Sequence, residues 1–259
     1  MIIYAFRAKS IKKAALLIFA GIICIAITIA LIYNLQDISV FATASRDLPI
    51  YYVDSREKTA AITFDCAWGD SDIPQILDTL KKENVYATFF IVGQWAEKYP
   101  NTVKMIADAG HDVANHGYSH LRMGALDPGK ISSEITLCSQ KLEQISGKKV
   151  DLFRPPYGDY SNNVVATARK LNHHTIQWNV DSLDWKPGIS QQEILNRVMN
   201  KIKPGAIILF HNDTPHTAKI LPTIISTLKN NGYSLQPVSN LIMRENYRID
   251  FDGKQKSKE

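Results

Sequence analysis

His116 and His120, in the segment HGYSH, are two imidazoles four positions apart. Either a helical turn or a tight loop lets both reach one metal ion, and Gly117 between them favours a loop. The spacing alone is weak evidence, because surface histidines also fall four apart by chance. More telling is where the other reactive side chains lie. Asp65 follows AAITF, His116 follows DVAN, Arg154 follows DLF, Asp181 and Asp184 follow TIQWNV, and His211 follows IILF. Each ends an apolar run of strand character. In a parallel barrel the C-terminal strand ends converge on one face, which would gather these residues around one mouth. Independent strand-end caps are the plain alternative, but so many successive cases favour a site. In Arg154-Pro155-Pro156-Tyr157-Gly158 two prolines fix the backbone, so that Arg154 and the amides after Pro156 point in set directions. A plain rigid turn would carry the same residues.

The elements that must position these groups alternate regularly. Strands are expected at Ile50 to Val53, Ala60–Phe64, Ala87–Val92, Asp112–Asn115, Asp151–Phe153, Thr175–Val180, Ala206–Phe210 and Tyr233–Gln236. Helices are expected near 72–83, 95–109, 128–146, 161–172, 190–202 and 217–230, with Ser161 and Ser190 as N-caps. This is an α/β pattern of about seven strand-helix units, which suits a closed or nearly closed (β/α) barrel. The tail from residue 244 to 259 is polar and is expected to fray.

An uncharged apolar stretch runs from Ala14 to Tyr33, long enough to cross a bilayer as one helix. Arg7, Lys9, Lys12 and Lys13 precede it without an acid, which keeps the N-terminus inside and places the rest of the chain outside the membrane. Residues 1–33 therefore read as a basic segment and single-pass anchor, 34–57 as a stalk with a short strand, and 58–243 as the functional domain. Secretion after cleavage near Ala44, in the small-x-small sequence Ala42-Thr43-Ala44, is the competing reading. The net charge of +5 lies at the two ends, leaving 34–243 neutral; a domain without excess base argues against a nucleic-acid partner. Of the three cysteines only Cys66 and Cys138 follow the apolar stretch, too few for a disulfide framework, although a single bridge between them is open.

ITFDCAWG, HGYSH, RPPYG, DSLDW and ILFH occur in the order and approximate spacing of the five motifs of the NodB-homology polysaccharide deacetylases, over residues 58 to about 240. With the N-terminal anchor and the phrases RPPYGDY and QWNVDSLDW, the sequence most resembles the sporulation-associated deacetylases of spore-forming Gram-positive bacteria. The resemblance implies a deformed (β/α) barrel and a divalent ion, commonly zinc or cobalt, held by two histidines and a carboxylate. It makes His116 and His120 metal ligands and Asp65 the base that deprotonates the attacking water. Arg154 orients and tunes that base, and the backbone amide of Tyr157 stabilises the oxyanion. It makes His211 the acid that protonates the leaving amine, Asp184 the carboxylate that holds it charged, and Trp185 and Leu209 the walls of an acetyl pocket.

One position departs from the pattern. The usual first motif reads TFDDG, and its second Asp, the third metal ligand, is here Cys66. A thiolate can bind zinc, so Cys66 could replace it. Otherwise Cys66 is a buried small hydrophobe and Asp70 or Asp72 reaches the ion, or two histidines and water hold it weakly. Asp72 also suits a helix N-cap ahead of Pro74. The expected activity is metal-dependent removal of N-acetyl groups from a cell-wall polysaccharide of the peptidoglycan type. The alternative is a catalytically impaired barrel that binds wall glycan as a wall or sporulation factor.

Overall fold

The strand Thr59–Cys66 (β2) carries only apolar or β-branched residues up to Asp65, and it forms the middle of the sheet. Successive side chains alternate between its faces. Ala61 points inward with Thr63 and Asp65, whereas Ile62, Phe64 and Cys66 point outward into the layer between sheet and helices. Parallel neighbours are Thr88–Ile91 (β3) and Ala206–His211 (β8). Asp112–Asn115 (β4), Leu152–Phe153 (β5) and His174–Thr175 (β6) continue the sheet beyond β3. Val180–Asp181 (β7) pairs with β8, and Ser234–Leu235 (β9) with the start of β2. Tyr52–Val53 (β1) pairs antiparallel with β8. Just before it, Ile50 bridges to Ile176 beyond β6 and joins the β1 side of the curved sheet to its β6 end, giving a deformed barrel.

The computed structural model describes residues 19, 21–29 and 47–258. The chain divides into units at Met1–Arg46 and Asp47–Glu259. In the first, the helical residues 21–29 (α1) are described; most of the expected membrane span at 14–33 lies outside the described residues, and no helix among the described residues is long and apolar enough to cross a membrane. In the second, the helices follow their strands. Ile73–Lys82 (α2), Gly93–Lys98 (α3), Pro100–Asp108 (α4) and Pro128–Ser146 (α5) come first. Asn162–Lys170 (α6), Gln191–Lys201 (α7), Thr217–Asn230 (α8) and the short Val238–Leu241 (α9) complete the set. The outward strand residues pack on the apolar faces of these helices, with Phe64 stacked on Phe89 at 4.9 Å between ring centroids.

Several expectations need correction. The helix expected over 95–109 is two helices, because Pro100 lacks the amide that would continue the first. The run Thr175–Val180 is two strands separated by the segment carrying Gln177 and Trp178. Ser190 caps α7 in a reciprocal capping box with Glu193, but Ser161, although it stands at the N-cap of α6, makes no cap hydrogen bond. Cys66 and Cys138 are free thiols, not a bridge.

The tail is not frayed. Tyr247–Ile249 (β10) and Lys254–Ser257 (β11) form a hairpin, and β11 lies parallel to β1. The polar pattern hid this because the buried side chain there is Gln255, which acts as a peptide group: its Oε1 accepts from the Met243 amide at 2.9 Å and its Nε2 donates to the Met243 carbonyl at 2.7 Å. The stretch 47–57, expected as stalk, belongs to the same compact unit.

Gly205, in the turn before β8, has φ +75°, and a Cβ there would lie 1.8 Å from the carbonyl oxygen of Val53. Its amide and carbonyl also bond Thr59 and Val53 across the β1–β8–β2 junction. Gly205→Ala is expected to destabilise the domain by on the order of 3 kcal/mol, read from urea unfolding midpoints.

Candidate active site

Asp65 ends the inward face of β2, and in the parallel register it stands directly opposite His211 at the end of β8. Arg154, just after β5, reaches beneath it with no exposed surface; its Nη1 donates to Asp65 Oδ1 at 2.6 Å and to Thr63 Oγ1 at 2.9 Å, and its Nη2 donates to the Gln177 carbonyl at 3.2 Å. The guanidinium also lies 4.0 Å over the ring of Phe90. Burial by itself would raise the Asp65 pKa, but the charge of Arg154, joined by that of His211, outweighs it and holds the carboxyl below its ordinary value.

His116 follows β4 and is buried, its Nε2 lying 3.5 Å from Asp65 Oδ2. Its Nδ1 sits 2.8 Å from the Arg154 carbonyl, an acceptor only, so Nδ1 carries the proton and donates while Nε2 presents a lone pair. The His120 ring lies 5.2 Å from that of His116. Burial, and for His120 also the neighbouring His116, lowers both pKa values, that of His120 to about 4, so both rings are neutral at pH 7. The loop between them is held from behind. Buried Glu134 on α5 accepts from the Tyr118 amide at 3.1 Å and the Ser119 amide at 2.7 Å, and Asn115 Oδ1 accepts from the Gly117 amide at 2.7 Å. Gly117 takes φ +74° to make this turn. Sequence reasoning missed Glu134 and Asn115; no local pattern marks a helical glutamate as a loop anchor.

His211 is oriented by Asp184, whose Oδ1 is 2.9 Å from Nδ1 and whose Oδ2 accepts from the His211 amide at 2.7 Å and from Thr217 Oγ1 at 2.5 Å. Burial works against a charged ring here, but the hydrogen bond and charge of Asp184, with Asp65 and Asp181, outweigh it and raise the His211 pKa. Two groups on adjacent strands thus hold opposite protonation preferences, an anionic carboxylate and a cationic imidazole.

A cleft of about 480 Å³ opens over this set and is lined by Asp65, His116, His120, Tyr157, Trp185, Leu209 and His211. The structure therefore brings together most of the residues expected at the mouth, while Arg154 and Asp184 lie buried behind it. Trp185 is exposed and Leu209 is buried on the inward face of β8. Tyr157 has φ +59° in a turn whose two hydrogen bonds are donated by Gly158 and Asp159, which leaves its own amide outside the turn's bonding. Asp181, expected at the mouth, lines the cleft too, as do Trp68, Trp178 and Arg122, which had not been assigned to the site. An exposed aromatic beside a strand end looks in sequence like any packed one: Trp68 faces the cleft, whereas Trp95 is buried with its Nε1 on the Gly69 carbonyl.

The proposed third metal ligands are not brought to this point. Cys66 follows Asp65 within β2, and strand alternation turns it into the apolar outer layer, where burial pushes its thiol pKa well up. Asp72 stands at the start of α2 but accepts from the Asp213 amide at 2.9 Å, and Asp70 accepts from Thr102 Oγ1 at 2.6 Å. Among the described residues no group of three or more His, Cys, Asp or Glu side chains is arranged to hold a metal ion. The two imidazoles fit as a pair of ligands, neutral and with His116 in the right tautomer; among the described residues the full three-ligand set of the resemblance is absent.

Two outcomes are expected. Asp184→Asn removes the largest of the influences that raise the His211 pKa; the proton is then lost at lower pH, so the alkaline limb of an activity profile should move to lower pH. Zinc retained by the full chain after dialysis should be unchanged in Cys66→Ser and lost in His120→Ala, as read by elemental analysis.

Residues 52–176 match the family described as polysaccharide deacetylase. A peptidoglycan-N-acetylglucosamine deacetylase of Bacillus cereus is 35% identical over 196 residues, which cover 73% of this chain and 91% of that protein. A peptidoglycan-N-acetylmuramic acid deacetylase of Bacillus subtilis is 30% identical over 204 residues, 77% of each chain. Among solved structures, a wild-type CE4 family pseudoenzyme from Bacillus anthracis superposes with a TM-score of 0.73 at 38% identity, over 76% of this chain and 69% of that one. A mutant of that pseudoenzyme, described as having restored enzymatic activity, gives the same TM-score of 0.73 at 39% identity, over 76% of this chain and 71% of that one. This chain spans only part of some curated relatives, 39% of the length of a peptidoglycan-N-acetylglucosamine deacetylase of Listeria monocytogenes, and nearly all of others, 92% of a chitooligosaccharide deacetylase of Bradyrhizobium. Likeness of sequence and of fold converge, and the chain belongs to the NodB-type (CE4) polysaccharide deacetylase family of hydrolases.

Proposed function

We propose that this protein removes acetyl groups from the N-acetylated sugars of a peptidoglycan-type wall polysaccharide, releasing acetate and leaving a free amine. The observation that carries the reading is the Asp65–His211 pair: a carboxylate held anionic and an imidazole held cationic, facing one cleft from register-matched positions on adjacent strands. Amide hydrolysis needs both a proton acceptor and a proton donor. Asp65 accepts a proton from water as its oxygen attacks the acetamide carbonyl carbon. The Tyr157 amide faces the developing oxyanion. His211 gives its proton to the nitrogen as the C–N bond breaks, and Asp184 stabilises the ring through the cycle. Trp185 and Leu209 enclose the methyl group.

A carboxylate with a depressed pKa is a poor base toward ordinary water, so the water itself must be acidified. His116 and His120 would hold the divalent ion, zinc by the preference of imidazole ligands, that lowers the pKa of a water molecule there and polarises the carbonyl. We place the reaction outside the membrane of a spore-forming Gram-positive cell; the apolar stretch 14–33 with its four preceding bases supports an anchor, and the Bacillus relatives support the setting. Cys66 supports a second reading, a glycan-binding barrel with impaired catalysis: it removes the usual carboxylate ligand, and a relative of similar fold is a pseudoenzyme.

With zinc supplied, the full chain should release acetate from purified wall glycan, and Asp65→Asn should lower that release by at least about 10²-fold. Release that is equal in wild type and Asp65→Asn overturns the mechanism, and no release by the wild type while it still binds glycan favours the second reading.

A further inference from the structure

Among the described residues, the cleft has one cation that its own machinery does not use. Arg122, two residues past His120, lines the mouth and is exposed. Among the described residues it meets no carboxylate and donates no hydrogen bond; it lies against the Tyr157 ring, whose centroid is 4.4 Å from the guanidinium carbon. That ring is itself fixed. It sits on a backbone held at φ +59°, with His120 4.6 Å away. A guanidinium lying on an aromatic face keeps its in-plane N–H donors free, pre-aimed at a planar anion.

Arg154, the other guanidinium of the site, is buried and committed to Asp65. Asp181, the second carboxylate lining the cleft, stands on β7, across β8, β2 and β3 from the His120 loop that follows β4, with its Oδ1 taken by the Leu183 amide at 2.9 Å. The cleft is thus electrostatically sided, with an unpaired cation on the His120–Tyr157 wall. A neutral acetamido sugar offers such a cation only uncharged hydroxyl and carbonyl acceptors. A sugar bearing a carboxylate on an ether arm beside the acetamide does.

We propose that Arg122 is a specificity-determining residue that selects N-acetylated sugars carrying a carboxylate substituent, the chemistry of a muramic-type sugar with its lactyl group free, over neutral N-acetylglucosamine. The inference rests on the deacetylase reading of the same cleft for its substrate, but not for its test. Arg122 acts on binding and takes no part in moving protons.

The test compares the full chain with Arg122→Gln and Arg122→Lys by calorimetric titration with three probes. These are a peptide-free glycan oligomer of alternating N-acetylglucosamine and N-acetylmuramic acid, the same oligomer with its lactyl carboxylates methyl-esterified, and an N-acetylglucosamine tetramer. The expected result is a loss of about tenfold or more in affinity of Arg122→Gln for the acid oligomer, with the other two probes unchanged and Arg122→Lys intermediate. Where acetate release is measurable, KM for the acid oligomer rises and kcat does not. Equal weakening toward all three probes, no weakening toward any, or a wild type that fails to bind the acid oligomer overturns the proposal. A selective loss of binding without any acetate release upholds Arg122 while overturning the deacetylase reading. Acetate release that is identical in wild type and Arg122→Gln on every probe upholds that reading and overturns Arg122.

Discussion

Deep in the barrel, Arg154 holds a positive charge with no exposed surface, and the arrangement persists because both of its terminal nitrogens are answered, although its Nε, equally buried, has no hydrogen-bond partner among the described residues. Asp65 faces Nη1 at 2.6 Å, the Thr63 hydroxyl and the Gln177 carbonyl take further protons, and the Phe90 ring lies beneath the guanidinium plane. A buried ion pair contributes little net stability as a pair, but removing one partner strands the other at a cost of about 3–5 kcal/mol. The same residue offers its backbone carbonyl to His116. One side chain and one carbonyl therefore tie β2, β4, β5 and the segment after β6 to a common point, and they fix both the charge of Asp65 and the tautomer of His116.

The mouth is organised on the same principle at lower burial. The loop after β2 and the loop after β8 are stitched together: the Gly69 amide donates to Asp213 at 2.9 Å, the Asp213 amide donates to Asp72, and both Trp95 and Asn212 donate to the Gly69 carbonyl. Asp70 and Asp72, attractive as ligands in the sequence, serve this stitching and the start of α4. Asp65 and His211 are then held at a fixed separation without either having to bond the other directly. Their contrasting protonation follows from what lies behind each, a guanidinium in one case and a carboxylate in the other.

Much of this was readable from the chain. The alternation of β2, with AITFD ending on an acid, and the runs before His116, Arg154 and His211 identify strands and the face on which chemistry gathers, because strand period and apolar content are local properties. What stayed hidden is non-local. The period of two that makes Asp65 point inward also sends Cys66 outward, but whether a strand continues through its last residue depends on pairing with Ile91, which the sequence does not display. Glu134 lies on a helix among polar neighbours and becomes an anchor only because the HGYSH loop folds over it. The C-terminal hairpin was missed for a related reason: a glutamine satisfied on both sides is as buried as a leucine, and composition cannot tell the two cases apart.

That hairpin has a mechanical consequence. β11 runs beside β1, the first strand of the domain, which on its other side pairs with β8 in the strand that carries His211. Tension along the chain upstream of residue 47 would pass the Ile50–Ile176 bridge to β1, whose backbone bonds to β8 and β11 would resist together. The last residues of the protein thereby share any load that reaches the first strand, one element away from the acid of the site.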